Sequence, residues 1–325
     1  MVILPPCAPP TSSAAIATDV PRIKFRHPAY PDSAPDLLCL SAVDGDDGVD
    51  YDIALLACCI VTGNTWRDIS FAVKVNSHAV SHVSRPANGV LRGRVFYFRL
   101  KGYEPNEKYP VIPSFDHWRF PHDEIPHLWS DLTIPHFAAP PILKHKPAAM
   151  FRNKTCRMSG YVDATEAAHL VPLAAGHWFN PNDIKRYCCL AYDAFPINDE
   201  NNLLLLRKDI HHLFDQRRFT FAPKKPDDDT PPHLVTHVLP PHGSVELVSL
   251  YHNRILHPLS GVSVKLLLAR FAWSIFTDEI FPFFSGTQEY AVLLFDLETG
   301  KAITNRLRPS QIRARSSMFE AFTRS

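Results

Sequence analysis

The placement of proline is the strongest constraint on what this chain can fold into. The 325 residues include 30 prolines but only 12 glycines, whereas about 5% proline and about 7% glycine are usual. Proline removes a backbone donor and breaks the interior of a helix, so helices are confined to the stretches between prolines. The composition therefore favours short elements joined by rigid connectors rather than flexible linkers.

Composition and charge exclude several classes of protein. With 46% apolar and 21% charged residues, the chain has enough apolar surface to form packed cores, so wholesale disorder is excluded. The formal net charge is +1, which is too small for bulk charge to drive binding to nucleic acid or anionic membrane. Any such binding must come from a local patch.

The cysteines and the N-terminus indicate an intracellular protein. The seven cysteines form no Cys-x-x-Cys pair, which indicates buried reduced thiols and neither a disulfide framework nor a zinc knuckle. The N-terminus has no basic start, and prolines interrupt its apolar run, so we expect no signal peptide. No stretch reaches the roughly 20 apolar residues that span a bilayer. We expect a protein of the nucleus or cytoplasm without a transmembrane segment.

The pattern of elements predicts an α+β protein with four parts. Residues 1–36 are predicted to be a Pro-rich arm and 37–149 a β-rich domain that ends in a connector rich in proline and aromatic residues. Residues 150–225 form a central module. Residues 226–325 are predicted to hold strands at 233–239 and 244–252, an amphipathic helix within 262–280 and a basic tail. The helix is predicted from apolar residues three and four positions apart: Val262, Leu266, Ala269, Trp273 and Phe276.

The central module holds the candidate catalytic and metal-binding residues. It begins with the motif Cys156-Arg-Met-Ser-Gly160. Apolar runs at 167–171 and 203–206 predict two strands. Asp209 is a candidate N-cap for a helix that starts at Ile210. On that helix His211 and Asp215 lie four residues apart and share a face, where an imidazole and a carboxylate can bind one divalent ion or form only a surface ion pair.

The order of these motifs resembles the HNH nuclease superfamily, in the form found within larger fungal proteins. The resemblance rests on Ala167-Ala-His-Leu-Val-Pro172 and on the spacing of Asn202, His211 and Asp215. It implies a ββα-metal finger, in which two strands and a helix hold one divalent cation. It further implies that His169 is the general base and that Asn202 braces the loop and orients this histidine. His211 and Asp215 match the metal ligands, and the flanking segments 57–64, 109–122 and 269–276 look like those of the fungal proteins.

Two departures from the superfamily pattern affect the site. Ala168 stands directly before the base, where many relatives carry a further metal ligand. With two protein ligands we expect Mg²⁺ or Mn²⁺, which accept water and phosphate oxygens, in preference to Zn²⁺. An insertion of about 29 residues at 173–201 also separates the two strands. The basic residues that flank the motif are candidates for phosphate contacts: Arg207, Lys208, Arg217 and Arg218.

Three functions fit the sequence. The first is a metal-dependent endonuclease that hydrolyses phosphodiester bonds of nucleic acid, DNA rather than RNA. The second is an HNH-fold module with little or no activity that binds nucleic acid or protein. It is considered because the chain offers only two protein ligands for the metal. The third is an enzyme that uses the same histidine and metal on another substrate. The oligomeric state stays open.

Overall fold

The computed structural model describes residues 20–45, 47–75, 80–138, 140, 142–189, 195–225, 229–239, 245–295 and 301–314. Residues 1–19 of the predicted arm and residues 315–325 of the predicted basic tail lie outside the described residues. The strands are β1 Arg22–Arg26, β2 Leu38–Ser41, β3 Val49–Asp50, β4 Ile69–Lys74, β5 Val80–Val83, β6 Val90–Leu91, β7 Val95–Leu100, β8 Thr165–His169, β9 Leu203–Arg207, β10 Phe219–Lys224, β11 His233–Val238, β12 Tyr290–Phe295 and β13 Ala302–Leu307. The α-helices are α1 Tyr51–Val61, α2 His127–Ser130, α3 His145–Asn153, α4 Gly176–Phe179, α5 Lys208–Asp215, α6 Val245–Tyr251 and α7 Val264–Ile275.

The N-terminal part is built on a five-stranded sheet in the order β2-β1-β7-β4-β5. β1 runs parallel to β7, and its pairing with β2 is antiparallel. β1 lies within the predicted Pro-rich arm, so the prediction of an arm is wrong for residues 22–26. Ile23 and Phe25 are buried and alternate with charged residues, which is the period of a strand with one face on the core.

The helices α1 and α7 supply much of the core beside this sheet. Asp50 caps α1, because its carboxylate accepts a hydrogen bond of 2.9 Å from the backbone N–H of Ile53. α1 is apolar on nearly all sides and is accordingly buried. α7 lies where the amphipathic helix was predicted, but residues 266–272, 274 and 275 are all buried. The helix is therefore covered on nearly all sides, and its predicted amphipathic character is wrong.

The segment 244–252 differs from the prediction, because residues 245–251 form helix α6 rather than a strand. α6 packs against β11, which lies within the predicted strand 233–239. Its buried Leu247 and partly buried Val248 and Tyr251 recur at helical spacing, which is the pattern of one apolar helix face. The segment contains no proline, so nothing prevents a helix.

The central module is a β-hairpin covered on both faces. β8 and β9 pair antiparallel, with His169 opposite Leu203, and β8 begins two residues earlier than the predicted strand. Ala168 packs in the main core, whereas Ala167 contacts Ala149 of α3 on the other face. α5 starts at Lys208 with Arg207 as N-cap residue, so the predicted cap at Asp209 is wrong. Asp209 instead lies in the first turn, where its carboxylate accepts hydrogen bonds from Arg207.

The buried apolar residues of these parts form one continuous cluster from Ile23 to Ile312. The predicted boundaries near residues 150 and 225 do not separate independent cores. Within the part of the chain that the structure describes, no helix combines the length and apolar character that crossing a bilayer requires.

Candidate active site

The helix α5 brings His211 and Asp215 together on one face. The Nε2 atom of His211 lies 3.3 Å from Oδ2 of Asp215. Its Nδ1 atom lies 2.7 Å from Oε1 of Glu166, which is on β8. The side chain of His211 is 17% exposed, compared with 57% for Asp215 and 42% for Glu166. The imidazole is therefore held between two carboxylates at the edge of solvent.

His169 is the last residue of β8, and its ring is fixed by the insertion. Its Nε2 atom lies 3.1 Å from the side-chain oxygen of Asn198. Because that oxygen only accepts hydrogen bonds, Nε2 carries the proton and the Nδ1 atom keeps its lone pair. Burial lowers the pKa of His169, although the hydrogen bond to Asn198 acts in the opposite direction. At neutral pH the ring is therefore uncharged and able to accept a proton.

His169 lies within electrostatic range of the His211 and Asp215 pair. Positive charge on His211 lowers the pKa of His169, and the carboxylate of Asp215 raises it. Lys146, an exposed residue of α3, also lowers it. The charges of the helix pair and of a lysine from outside the motif therefore act on the histidine of the strand.

Asn202 ties together the two segments that position His169. Its side chain is fully buried. Its Oδ1 atom accepts a hydrogen bond of 2.9 Å from the backbone N–H of Val171, and its Nδ2 atom donates to the carbonyls of Val171 and Ile197 at 2.9 and 2.8 Å. Val171 follows His169 closely, and Ile197 precedes Asn198, so this amide sets the distance between the imidazole and its partner.

The four basic residues predicted to contact phosphate differ in their surroundings. Lys208 is exposed on the first turn of α5. Arg207 forms two hydrogen bonds with Asp209, at 2.6 and 2.7 Å. Arg217 is half-buried, stacks 3.7 Å from the ring centroid of Trp273 and donates to the carbonyl of Phe276. Arg218 is also half-buried. Lys208 is thus the most solvent-accessible of these cations, and Arg207 and Arg217 already serve protein groups.

Two buried arginines from outside the motif hold the module in place. Arg152 of α3 donates to the carbonyls of Glu200, Leu203 and Gly261. Arg270 of α7, which is fully buried, donates to the carbonyls of Leu170 and Phe214. Those last two residues adjoin His169 and Asp215, so one guanidinium connects the two sides of the site.

The motif Cys156-Arg-Met-Ser-Gly160 forms a tight turn. The N–H of Gly160 donates to the carbonyl of Cys156, and the N–H of Ser159 lies 3.4 Å from its sulfur. Gly160 has φ +75°, and a Cβ there would lie 2.9 Å from Nε2 of His257. Glycine is therefore required for both the left-handed backbone and the close approach. The motif shapes the finger and supplies no group to the site.

A second cluster has the composition of a metal site but a different chemistry. Asp44, His237 and His252 have ligand atoms within 4.8 Å of one another. The N–H of Val238 donates to Nδ1 of His252 at 3.2 Å, so Nε2 of His252 carries a proton and cannot bind a metal. That Nε2 instead lies 3.0 Å from Asp44 Oδ1, and the ammonium of Lys224 lies 2.8 Å from the same atom. The cluster is a buried ionic network.

The His211 and Asp215 pair has the geometry of adjacent metal ligands. Two adjacent ligands of an octahedral Mg²⁺ ion, at bond lengths of about 2.1 Å, lie roughly 3 Å apart. The observed 3.3 Å between His211 Nε2 and Asp215 Oδ2 is close to this value. Because Glu166 accepts the proton of Nδ1, the Nε2 lone pair of His211 is free to bind a cation. The residues present therefore fit a divalent ion.

Two contributors to the site were missed by sequence reasoning. Glu166 lies three residues before His169, just outside the predicted strand 167–171, and its contact with His211 depends on how α5 packs against the hairpin. Asn198 lies in the insertion, far from His169 in sequence. The motif Glu166-Ala-Ala-His169 was a usable signal for the first, because side chains two apart on a strand share a face and Glu166 is the nearest carboxylate to the alanine that replaces a ligand.

Comparison with protein families gives one assignment for this region. Residues 156–222 match the family described as HNH endonuclease. No curated protein and no solved structure matched the chain. The matched residues include β8, β9 and α5 together with His169, Asn202, His211 and Asp215. This segment therefore carries the pattern of the HNH endonuclease family, whose members are nucleases that act on nucleic acid and generally depend on a divalent metal.

Proposed function

We propose that the chain is a metal-dependent endonuclease that hydrolyses phosphodiester bonds of DNA with His169 as general base. The observation that carries the proposal is the approach of His211 Nε2 and Asp215 Oδ2 to 3.3 Å, within electrostatic range of the uncharged His169. Packing of the core does not explain why an imidazole and a carboxylate lie this close together at the edge of solvent. Its position within the matched residues 156–222 supports a nuclease rather than an unrelated metalloenzyme.

The roles of the residues follow from their hydrogen bonds. Asn198 holds the proton on Nε2 of His169, so the Nδ1 atom accepts a proton from water. The water oxygen then forms a bond to phosphorus as the bond to the leaving 3′ oxygen breaks. Asn202 keeps His169 and Asn198 in register through Val171 and Ile197.

His211 and Asp215 would hold the divalent cation. When bound, Mg²⁺ or Mn²⁺ stabilises negative charge on the phosphate oxygens and the leaving group. Of the flanking cations, Lys208 and Lys146 are exposed and are the best placed to contact the DNA backbone. Arg207 and Arg218 would contribute a weaker positive field, and Arg217 a structural contact.

The proposal extends to the form of the family and to the location of the protein. The segments 57–64, 109–122 and 269–276 support the form of HNH protein found within larger fungal proteins. The spacing of the seven cysteines, which indicates reduced thiols rather than a disulfide framework, supports an intracellular role, in the nucleus or cytoplasm.

One observation favours a second function, that of a binding module with little activity. Ala168 offers no ligand atom and is fully buried, so His211 and Asp215 are the two direct ligands we assign. A module of this kind would bind nucleic acid through the same surface without cutting it.

A plasmid assay separates the two functions. Purified full-length protein is incubated with supercoiled plasmid and Mg²⁺ or Mn²⁺, alongside His169→Ala and the control His212→Ala. His212 is an exposed histidine of the same helix, and its Nε2 atom contacts Gln216 at 2.8 Å. We expect the wild type and His212→Ala to nick the plasmid, and His169→Ala to nick it about 100- to 10,000-fold more slowly.

The contrary outcomes are distinct. Equal nicking by His169→Ala would refute the general base. Retention of plasmid in a gel without nicking by the wild type would support the binding module instead. A single-stranded RNA and DNA pair of equal sequence tests the substrate, and faster cutting of RNA would refute the choice of DNA.

A further inference from the structure

The carboxylate of Glu166 contacts a proposed metal ligand but takes no part in the proposed hydrolytic step. Its Oε1 atom lies 2.7 Å from Nδ1 of His211, a short distance typical of charge-assisted hydrogen bonds. Glu166 belongs to β8 and His211 to α5, so the contact joins the two elements that form the site. An incidental ion pair on the protein surface could form between any two exposed residues, whereas this one joins the strand and the helix of the candidate site.

The hydrogen bond decides which nitrogen of His211 is free. Of the two carboxylates that face His211, Glu166 makes the shorter contact, 2.7 Å at Nδ1 compared with 3.3 Å between Nε2 and Asp215. In the neutral imidazole the proton therefore lies on Nδ1, where the carboxylate accepts it in a hydrogen bond. The lone pair then lies on Nε2, which faces Asp215 Oδ2 at 3.3 Å. Without Glu166 nothing among the described contacts of Nδ1 would fix this tautomer, and a ring with its proton on Nε2 cannot bind a cation there.

Glu166 also lies on the side of β8 where a ligand is missing. Glu166 and Ala168 are two residues apart, so their side chains project from the same face of the strand. That face is covered by α5, because Ala168 packs in the cluster that contains Ile210 and Phe214. The longer side chain of Glu166 reaches α5 where Ala168 cannot. With Asp215 it brings two negative charges to the site, which balance one divalent cation.

We propose that Glu166 is a positioning residue that holds the Nδ1–H tautomer of His211 and so directs Nε2 toward the cation shared with Asp215. This inference rests on the proposed function, because it assumes that the pair binds a divalent ion. A carboxylate that receives the second proton of a metal-binding histidine raises the basicity of that ligand, and its loss typically weakens metal binding about 10- to 100-fold.

The test measures tautomer and metal binding rather than cleavage. Full-length protein labelled with ¹⁵N-histidine is compared with Glu166→Ala, Glu166→Gln and the control Asp163→Asn. Asp163 is an exposed carboxylate of the turn before β8, so its variant removes the same charge from the same hairpin. Long-range ¹H–¹⁵N spectra, assigned through His211→Gln, report the protonated nitrogen, and calorimetry with Mn²⁺ reports affinity.

We expect His211 to carry its proton on Nδ1 in the wild type and in Asp163→Asn, with Mn²⁺ affinities that agree within twofold. In Glu166→Ala the Nδ1–H form should lose its dominance, and the Mn²⁺ affinity should fall about 10- to 100-fold. Glu166→Gln keeps a neutral acceptor, so we expect it to retain the tautomer and lose less affinity. Unchanged circular dichroism would show that the variants fold.

The outcomes separate this inference from the proposed function. Equal Mn²⁺ affinity in Glu166→Ala and the wild type would overturn the inference even if the plasmid is cut. A fall in affinity with loss of the tautomer would support it even if the plasmid is not cut. Absence of Mn²⁺ binding by the wild type would overturn it.

Discussion

The guanidinium of Arg270 lies 3.4 Å from the ring centroid of Phe214, beneath the helix that carries His211 and Asp215. Arg270 is fully buried and also donates to the carbonyls of Phe214 and Leu170. Burial lowers its pKa well below the usual value, although the charge of Asp215 opposes this. Burying a cation costs free energy unless it is hydrogen-bonded. The hydrogen bonds of Arg270 to backbone carbonyls on both sides of the site offset that cost.

Replacement of this cation should destabilise the protein. In Arg270→Met the carbonyl of Leu170 loses a donor, whereas that of Phe214 keeps the backbone N–H of Arg217. Leaving a buried acceptor unpaired costs about 1–3 kcal/mol, and the apolar contacts of the guanidinium with Phe214 are altered as well. We expect a loss of about 3 kcal/mol in the free energy of unfolding, measured by urea denaturation. The control Lys265→Met, on the same helix, should change it by less than about 0.5 kcal/mol. Equal stability of the two variants would show that the guanidinium contributes nothing.

Asn202 should be needed for stability as well as for geometry. The variant Asn202→Ala removes three hydrogen bonds to Val171 and Ile197 and leaves buried backbone groups unpaired. We expect a loss of about 2–4 kcal/mol, measured by urea denaturation at neutral pH. Asn198→Ala serves as the comparison, since its side chain is only partly buried. Asn198→Ala should lose activity but less than about 1 kcal/mol of stability. A larger loss of stability in Asn198→Ala than in Asn202→Ala would contradict these roles.

The pH dependence of cleavage should report the surroundings of His169. Because burial lowers its pKa below the ordinary 6.5, the acid limb of log kcat/KM should have its midpoint below pH 6.5. Asn198→Ala removes the hydrogen bond that raises this pKa, so the midpoint should move down. Lys146→Met removes a charge that lowers the pKa, so the midpoint should move up. Shifts in the same direction in both variants would refute the assignment of the limb to His169.

Asp215 should govern metal binding with little effect on stability. Its side chain is 57% exposed, so Asp215→Ala removes few packing contacts. We expect the Mn²⁺ affinity to fall at least 10-fold by calorimetry and cleavage to be lost, while the free energy of unfolding changes by about 1 kcal/mol or less. Asp209→Asn on the same helix is the control and should bind Mn²⁺ normally. Undiminished binding in Asp215→Ala would remove this residue from the ligand set.

The Asp44 network should contribute stability and no metal binding. Burial raises the pKa of Asp44, but hydrogen bonding from His252 and the charge of Lys224 outweigh it and hold the pKa well below the ordinary 3.8. A depressed pKa means that this stability is present above pH 3.8 and is lost as the pH falls below that value. Asp44→Asn leaves the ammonium of Lys224 without its main partner, which should cost about 3–5 kcal/mol.

Urea denaturation at pH 6 and at pH 3 checks this prediction. The difference between the wild type and Asp44→Asn should be smaller at pH 3, while Mn²⁺ stoichiometry should be equal in both proteins. A lower stoichiometry in the variant would mean that the cluster binds metal after all.

Local patterns predicted the helix of the site, whereas long-range contacts escaped sequence reasoning. The approach of His211 and Asp215 follows from their spacing of four on a helix and agrees with the 3.3 Å observed. The contacts of Glu166 with His211 and of Asn198 with His169 require the packed hairpin and the insertion. No spacing rule encodes them.

The errors elsewhere have equally specific causes. In β1 the alternation of Ile23 and Phe25 with charged residues was a usable strand signal, but the prolines around it led to the prediction of an arm. The segment 244–252 holds five apolar residues among nine, two of them valine, and its apolar face is set by contact with β11. Asp209 is of a residue type that caps helices, but the helix already begins at Lys208, with Arg207 as N-cap residue, so Asp209 lies inside the first turn.

The positions of Arg152 and Arg270 determine how long a segment must be transferred if the ββα finger is grafted into another protein. A graft cut at residues 156 and 222 would strip donors from the carbonyls of Leu170, Leu203 and Phe214, and its hairpin would be exposed on the face that α3 covers. The smallest portable cassette therefore extends at least from residue 152 to residue 270.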